Sequence, residues 1–194
     1  MLYTKLHIHL YYMYKKIYKN LIIVSGVGQR VGKTTFICQL LAHFKEADVI
    51  ALKISPFWHN INTSEDVIIK NDRFLILKES NTQARKDSSR MLLSGAQKTY
   101  YIQAVDADVY EAFHYLNDNY IKDKAVICES AALLNYIKPA VHFYISGKQT
   151  ENIKTENIKR QRKITVNYLN ETCFDFDMRL LSLSNKQWRI LNSK

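Results

Sequence analysis

A glycine loop between a short apolar run and an amphipathic segment constrains this chain more than any other feature. Residues 21–24 (LIIV) are apolar and rich in β-branching, as in a buried parallel strand. Three of the five glycines follow almost at once: Gly26, Gly28 and Gly32. Residues 36–44 then carry apolar side chains at helical spacing. A strand, a glycine loop, Lys33-Thr34 and a helix in this order predict a phosphate-binding P-loop.

Each residue type in this loop has a physical role at a phosphate site. Glycine permits positive φ, so that successive amide N–H groups point at phosphate oxygens, and the helix N-terminus adds partial positive charge. Lys33 is expected to contact the β- and γ-phosphates, Thr34 to bind Mg²⁺, and Thr35 to donate to the α-phosphate. The predicted ligands are Mg²⁺ and GTP or ATP. The residues predicted to contact the nucleotide in this loop are Gly28, Gln29, Arg30, Val31, Gly32, Lys33, Thr34 and Thr35.

The spacing of the loop departs from the usual G-x-x-x-x-G-K-[ST] pattern. The first glycine of that pattern would stand at position 27, which is Val27. Counted from Gly26, the loop is one residue longer, and this longer spacing resembles the GTDTxVGKT loop of dethiobiotin synthetase, whose end matches residues 31–34. A plain glycine turn before an ordinary helix is the alternative interpretation.

The remainder of the chain alternates strand-like apolar runs with helical spacing, which predicts βαβ units. Further strands are predicted at residues 48–54, 73–78, 99–103, 125–128, 140–145, 164–169 and 174–176. Helices are predicted at residues 83–93 and 105–116, with a last helix starting at Ser184 and passing through Trp188 and Leu191, while residues 57–71 are predicted as a long loop. We therefore expect a doubly wound α/β domain, with a mostly parallel sheet and helices on both faces, over residues 21–194. Residues 1–20 are expected to form a poorly ordered basic and aromatic extension.

Three polar residues near predicted strand and helix ends extend the candidate site. Lys53 lies near the carboxyl end of the second strand, where ligands of open α/β sheets bind, and is predicted to contact the nucleotide. Glu129 follows the strand at 125–128, where a carboxylate can hold Mg²⁺ or orient a nucleophile; a solvated loop acid is the alternative. Asp87 could also orient the nucleophile, or it could simply favour the dipole at a helix N-terminus. The predicted catalytic residues are Lys33, Glu129 and Asp87, and the predicted metal ligands are Thr34 and Glu129.

Charge and cysteine content narrow the class of protein without naming a ligand. The net charge of +10 favours an anionic partner, and nucleotide phosphates satisfy this as readily as nucleic acid does. The basic run at 148–163 and the extension keep a nucleic-acid binder open as an alternative, although the loop favours a nucleotide. The three cysteines lack metal-ligand spacing, which predicts free thiols in the cytoplasm. No apolar run is long enough to span a membrane.

The order of residues after the loop resembles the molybdopterin-guanine dinucleotide biosynthesis protein B family. Members of that family carry a P-loop, an IKH-type strand end, a GKDS-to-AGA segment and an acid-glycine pair. The counterparts here are Lys53 with His59, Lys86-Asp87-Ser88, Ser94-Gly95-Ala96 and Glu129-Ser130. The resemblance covers residues 21–145. It implies a P-loop NTPase fold of the SIMIBI type, a GTP or ATP ligand, frequent homodimers, and assistance to the enzyme that attaches a nucleotide to molybdopterin.

Several departures from that family keep other functions open. Arg85 replaces the glycine of GKDS, Ser130 replaces the glycine after the acid, and the loop is longer. Lys53 followed by Glu129 also resembles dethiobiotin synthetase, in which the lysine helps to hold a carboxylate or phosphorylated intermediate. The three functions that remain are slow Mg²⁺-dependent hydrolysis in support of molybdopterin cofactor biosynthesis, an ATP-dependent ligase-type reaction, and a nonenzymatic adaptor gated by nucleotide.

Overall fold

The computed structural model of this chain describes residues 15–26, 28–56, 66–83, 86–146, 163–170 and 173–191. The strands within them are β1 (Ile17–Gly26), β2 (Ile50–Ser55), β3 (Asp66–Lys70), β4 (Phe74–Glu79), β5 (Lys98–Ala104), β6 (Val126–Glu129), β7 (Lys138–Ser146), β8 (Ile164–Asn170), β9 (Cys173–Phe174), β10 (Leu181–Ser184) and β11 (Gln187–Ile190). The helices are α1 (Lys33–His43), α2 (Asp87–Leu93) and α3 (Val109–Leu116), with a π-helical turn at Asn117–Ile121 and 3-10 turns at Lys45–Ala47, Ala132–Asn135 and Met178–Leu180.

Most strands join one large sheet in the order β3-β4-β5-β2-β6-β1-β7-β8-β9. The central strands β5, β2, β6, β1, β7 and β8 are parallel to one another, whereas the pairings of β3 with β4, β4 with β5 and β8 with β9 at the two edges are antiparallel. Continuous apolar runs make the central strands suitable for burial on both faces. The structure confirms the predicted α/β class, with a large, mostly parallel central sheet that is compatible with a doubly wound fold.

Helices cover both faces of this sheet, as the sequence predicts. Strand β1 shows why, because its apolar side chains alternate between two cores: Ile22 and Val24 face one, and Leu21 and Ile23 face the other. On the first face, α1 and α2 pack through fully buried side chains that include Phe36, Leu40 and Met91. On the second face, α3 packs through the predicted set Val109, Ala112, Phe113 and Leu116.

Adjacent strands β1 and β6 send their connections to opposite faces. The chain leaves β1 through the glycine loop (residues 26–32) into α1 on the first face, and it leaves β6 into the Ala132–Asn135 turn, whose leucine side chains pack on the second. Such a divergence opens a crevice at the carboxyl ends of the two strands, where open α/β sheets bind their ligands. The register Val24 to Glu129 brings the glycine loop and Glu129 to this crevice.

Strand β1 begins earlier than the apolar run predicts. Its first residue is Ile17, so the end of the expected extension at residues 1–20 belongs to the sheet. Tyr18 is buried and packs edge to face on Phe113, with ring centroids 5.3 Å apart. Lys15 is also buried and donates to the carbonyl oxygen of Leu134 at 2.6 Å. Strand β1 extends beyond the apolar run because polar residues interrupt its start, where only one face is buried. Residues 1–14 lie outside the described part of the chain.

Two other predictions of secondary structure are wrong. The predicted loop at residues 57–71 ends in the edge strand β3, which pairs with β4; residues 57–65, including His59, lie outside the described residues. The predicted helix after Ser184 is instead the hairpin of β10 and β11. Asn185 and Lys186 have positive φ values of 49° and 60°, as a two-residue hairpin turn requires, and this conformation ends any helix that starts at Ser184.

The remaining helices are shorter than their sequence patterns. Helix α2 starts at Asp87 rather than at residue 83, and α3 starts at Val109 rather than at residue 105. The predicted strand at 174–176 shifts to β9, which pairs with β8. No helix in the described ranges has the length and apolar composition needed to cross a bilayer.

Candidate functional site

A cleft of about 1150 Å³ lies at the carboxyl ends of β1, β2 and β6, on the face of the sheet that α1 and α2 cover. The glycine loop and the start of α1 form one end of it. Lys53 and Glu129 lie on its floor, and the start of α2 contributes Asp87 to its wall. The cleft then continues across the sheet to β4 and β5, where Leu77, Tyr101 and Gln103 line it.

Alternate residues of the glycine loop have positive φ, a pattern that is typical of anion nests. Gly28, Arg30 and Gly32 have positive φ values of 79°, 60° and 91°. Alternation of left- and right-handed conformations turns successive amide N–H groups to the same side of the chain. Helix α1 begins at Lys33, directly after this turn, so its free N–H groups add to the same positive potential.

Two glycines of the loop approach neighbouring strands closely, and one of them, Gly32, also has a positive φ. A Cβ atom on Gly26 would lie 2.6 Å from the carbonyl oxygen of Ile145 in the neighbouring strand β7. A Cβ atom on Gly32 would lie 2.9 Å from the ring of Tyr168, which comes from β8. Since such distances are shorter than van der Waals contact, a larger residue at Gly26 would push the strand end away from β7, and one at Gly32 would displace the Tyr168 ring or the loop.

Lys33 lies over the loop that it follows. Its Nζ atom donates to the carbonyl oxygen of Gly28 at 2.6 Å. Burial lowers the pKa of the Lys33 ammonium; attraction to Glu129 opposes this shift, and repulsion by Lys53 adds to it. A partly desolvated ammonium next to a nest of amides is suited to an anion that bridges both.

Thr34 and Glu129 are joined across the crevice. The hydroxyl of Thr34 donates to Glu129 Oε2 at 2.8 Å, although the two residues come from α1 and β6. Both side chains are buried, and Glu129 is only 5% exposed. The alternative of a solvated loop acid is therefore wrong, and the two predicted metal ligands are in direct contact.

Lys53 lies between two carboxylates on the floor of the cleft. Its Nζ atom is 2.5 Å from Glu129 Oε1 and 3.0 Å from Asp87 Oδ2. Burial by itself would lower the pKa of Lys53, but attraction to Glu129 and Asp87 outweighs burial and raises it. The ammonium therefore stays charged, and it joins the strand-end residues of β2 and β6 to the first residue of α2.

Asp87 brings α2 into the cluster. Burial would raise its pKa, but the ion pair and hydrogen bond with Lys53, a hydrogen bond with Thr34 and the charge of Arg90 together lower it. Arg90 lies one turn later on α2, and its guanidinium donates to the Thr35 hydroxyl at 3.3 Å. Asp87 is thus both the first residue of a helix and a member of the site, so the two interpretations of it from sequence are compatible.

Most of the residues predicted from sequence meet at this cleft. It is lined by Gln29, Arg30, Val31, Gly32, Lys33, Thr34, Thr35, Lys53, Asp87 and Glu129. Gly28 is not among the lining residues, and it contributes through its carbonyl oxygen and its positive φ. His59 lies outside the described residues.

The structure adds two residues that sequence reasoning did not single out. Arg90 of α2 donates to the Thr35 hydroxyl. It could have been found from sequence, because it lies three residues after Asp87 and so shares a face of the same helix. Tyr168 covers Gly32 from β8, and no sequence signal pointed to it, because the contact depends on how β8 joins the sheet.

The cluster has the oxygen donors that suit Mg²⁺ with a phosphate ligand. The described residues contain no group of three or more His, Cys, Asp and Glu side chains placed to hold a metal ion. Mg²⁺ does not need such a group, since it commonly takes one or two carboxylates, phosphate oxygens and water. Thr34, Glu129 and Asp87 offer a hydroxyl and two carboxylates beside the anion nest, and this set fits Mg²⁺ that enters with a nucleotide.

The rest of the cleft is lined by both polar and apolar side chains. The hydroxyl of Ser88 donates to Glu79 Oε2 at 2.6 Å, which joins the start of α2 to the end of β4.

Comparisons of the chain with protein-family models, with curated proteins and with solved structures found no match.

Proposed function

We propose that this chain binds a purine nucleotide, GTP or ATP, together with Mg²⁺, and that it cleaves the terminal phosphate slowly. The observation that carries the proposal is the contact between Thr34 and Glu129 beside a glycine loop of positive φ at the start of α1. A structural turn would need neither a buried acid on the neighbouring strand nor a cleft in front of its amides. The position of the loop at the β1–β6 crevice supports a P-loop NTPase of the SIMIBI type.

Each residue of the cluster has a distinct part in this function. The loop amides and Lys33 bind the phosphate chain, and Thr34 and Glu129 hold Mg²⁺. Mg²⁺, when bound, neutralises charge that develops on the phosphate oxygens. Asp87 is ionised and faces the cleft, so it can accept a hydrogen bond from an attacking water and orient it.

Substitution of Lys33 by alanine tests the proposal. We expect wild-type protein to take up fluorescent ATP or GTP analogues in Mg²⁺ buffer, and the Lys33→Ala variant to lose at least about a hundredfold in affinity, because a charge-assisted phosphate contact disappears. Lys45→Ala is the matched control, since Lys45 follows the same helix and is exposed. Equal affinity of wild type and Lys33→Ala for the nucleotide analogues would contradict the proposal.

Molybdopterin cofactor biosynthesis is the pathway that the sequence resemblance implies. Two residues of that resemblance, Lys53 and Asp87, form an ion pair here, which supports a shared role for them. We propose that the chain assists the nucleotide-attaching enzyme of that pathway, as a homodimer. Phosphate release measured with and without that enzyme separates a stimulated NTPase from an adaptor, for which turnover stays negligible.

A ligase-type enzyme is the second candidate, and the length of the cleft favours it. Single-ligand pockets are commonly about 300–1,000 Å³. This cleft exceeds that range, and its far arm along β4 and β5 lies beyond Lys53 from the glycine loop. A phosphoryl acceptor in that arm would meet the terminal phosphate near Lys53. ATP cleavage that occurs only once an acceptor is supplied, with ADP, free phosphate and a condensed product formed in equal amounts, would favour this candidate over hydrolysis.

A further inference from the structure

The ammonium of Lys53 lies against Glu129, the carboxylate that would hold Mg²⁺ together with Thr34. It is 2.5 Å from Glu129 and 3.0 Å from Asp87, and Glu129 uses its other oxygen to accept from Thr34. The side chain of Lys53 is 17% exposed and that of Glu129 is 6% exposed, so little water screens their attraction. Three charges therefore form one compact cluster beside the glycine loop.

Mg²⁺ requires short contacts, at about 2.0–2.1 Å, to oxygen atoms of this cluster. An ammonium and a divalent cation held by the same carboxylate repel each other strongly at such separations. Lys53 and a Mg²⁺ held by Thr34 and Glu129 therefore compete for the Glu129 carboxylate.

We propose that Lys53 competes with Mg²⁺ inside the cleft. When the metal and the nucleotide enter, Lys53 leaves the two carboxylates and moves to the terminal phosphate. This inference rests on the proposed function. Lys53 lines the cleft on the same floor as Glu129, and its flexible stem lets the ammonium turn toward the glycine loop without movement of β2. Binding of the metal and binding of the nucleotide therefore strengthen each other, because only the phosphate gives the displaced ammonium a new anionic partner.

The exchange predicts weak metal binding by the protein alone and strong binding once Lys53 is removed. Mn²⁺ serves as the probe, and its free concentration is read by electron paramagnetic resonance in the absence of nucleotide. We expect Lys53→Met to bind Mn²⁺ about tenfold more tightly than wild type, since two neighbouring carboxylates lose their counter-ion. Lys78→Met is the matched control, because Lys78 also lines the cleft but pairs with Asp66 at 3.9 Å. Its affinity for Mn²⁺ should stay within about twofold of wild type.

Wild-type protein provides a second test that does not depend on the folding of the Lys53→Met variant. Acetylation of each lysine by an amine-reactive reagent is followed by mass spectrometry with increasing Mn²⁺ and no nucleotide. A displaced Lys53 has no phosphate to receive it, so its acetylation should accelerate several-fold as Mn²⁺ binds, whereas the rate at Lys78 should not change. Addition of ATP should then slow acetylation of Lys53 again.

The outcomes separate this inference from the proposed function. Tight binding of Mn²⁺ by wild type with no change in Lys53 acetylation would overturn the exchange, as would equal Mn²⁺ affinities of wild type and a folded Lys53→Met variant. Both results are obtained without nucleotide. Failure of wild type to take up ATP or GTP in Mg²⁺ buffer would instead overturn the proposed function.

Discussion

Two clusters in this molecule each place one cation between two carboxylates, and they differ in almost everything else. In the cleft, Lys53 pairs with Glu129 and Asp87. Before β4, Arg73 pairs with Asp108 at 2.6 Å and with Glu111 at 2.6 Å. The Arg73 cluster joins a turn to the start of α3, and the Arg73 side chain is 52% exposed against 17% for Lys53.

The comparison shows that pairing by itself does not mark a functional site. Water reaches the side chains of Arg73 and Glu111, which are 52% and 53% exposed, so the contribution of this cluster to stability is small although Asp108 is only 15% exposed. Lys53 and Glu129 are removed from water and lie beside the glycine loop and the cleft, so their charges interact strongly, while Asp87 is 43% exposed. Burial of the charges beside the glycine loop and the cleft, rather than the number of ion pairs, distinguishes the Lys53 cluster.

The largest expected effect is on stability when one acid is removed from each cluster. Glu129→Ala leaves Lys53 buried with one half-exposed partner and leaves the Thr34 hydroxyl without its acceptor, so we expect a loss of about 3 kcal/mol in the free energy of unfolding. Asp108→Ala should stay close to wild type, because Arg73 keeps Glu111 and water. Urea unfolding of both variants provides the comparison, and similar losses would remove the distinction between the clusters.

The second effect is a dependence of stability on pH that comes from His142, a buried group whose hydrogen-bond partner is uncharged. His142 is 4% exposed and its Nε2 atom lies 2.8 Å from the Ser25 hydroxyl. Burial, with a smaller contribution from Lys163, lowers the pKa of His142 from 6.5 to about 4. Between these values the unfolded chain binds more protons, so stability falls as pH decreases from 6.5 toward 4, by about 2 kcal/mol at pH 5.

Unfolding by urea at pH 7.5 and at pH 5 measures this dependence. His142→Gln should flatten the part that comes from this residue, whatever its own stability at pH 7.5. An unchanged slope in the variant would show that other groups, rather than burial of this imidazole, cause the loss in acid.

The smallest expected effect is that of salt on the exposed cluster. Arg73→Met should leave unfolding close to wild type, and the small difference that exists should disappear in 1 M salt, where charges are screened beyond about 3 Å. The comparison would be weakened if Arg73→Met and Lys53→Met changed the midpoint of unfolding by the same amount in low salt.

The sheet was largely predictable from sequence because its central strands are buried on both faces. Runs such as residues 21–24 and 125–128 are apolar without interruption, which is typical of parallel strands. Edge strand β3 was not predicted, since it is short, partly exposed and follows polar residues. The final hairpin was missed because Ser184, Trp188 and Leu191 also match helical spacing, and its turn uses Asn185-Lys186 without a glycine.

The candidate site was likewise predictable only in part. The glycine loop, Lys53 and Glu129 were predictable because each stands at the carboxyl end of a strand, and parallel strands bring such ends together. The ion pair of Lys53 with Asp87 depends on how α2 packs against β2 and β5, and the sequence pattern does not encode that packing. Tyr168 could not be predicted for the same reason, because it comes from a strand far along the chain.

The most direct test of the central claim is a calorimetric titration of ATP and of GTP, with and without Mg²⁺, into wild type and Glu129→Gln. The amide keeps the shape of Glu129 and removes its charge. If the cleft holds a Mg²⁺-nucleotide, Mg²⁺ should strengthen binding to wild type at least about tenfold, and that gain should vanish in the variant. No uptake of either nucleotide, or a gain from Mg²⁺ that is equal in both proteins, would contradict the account.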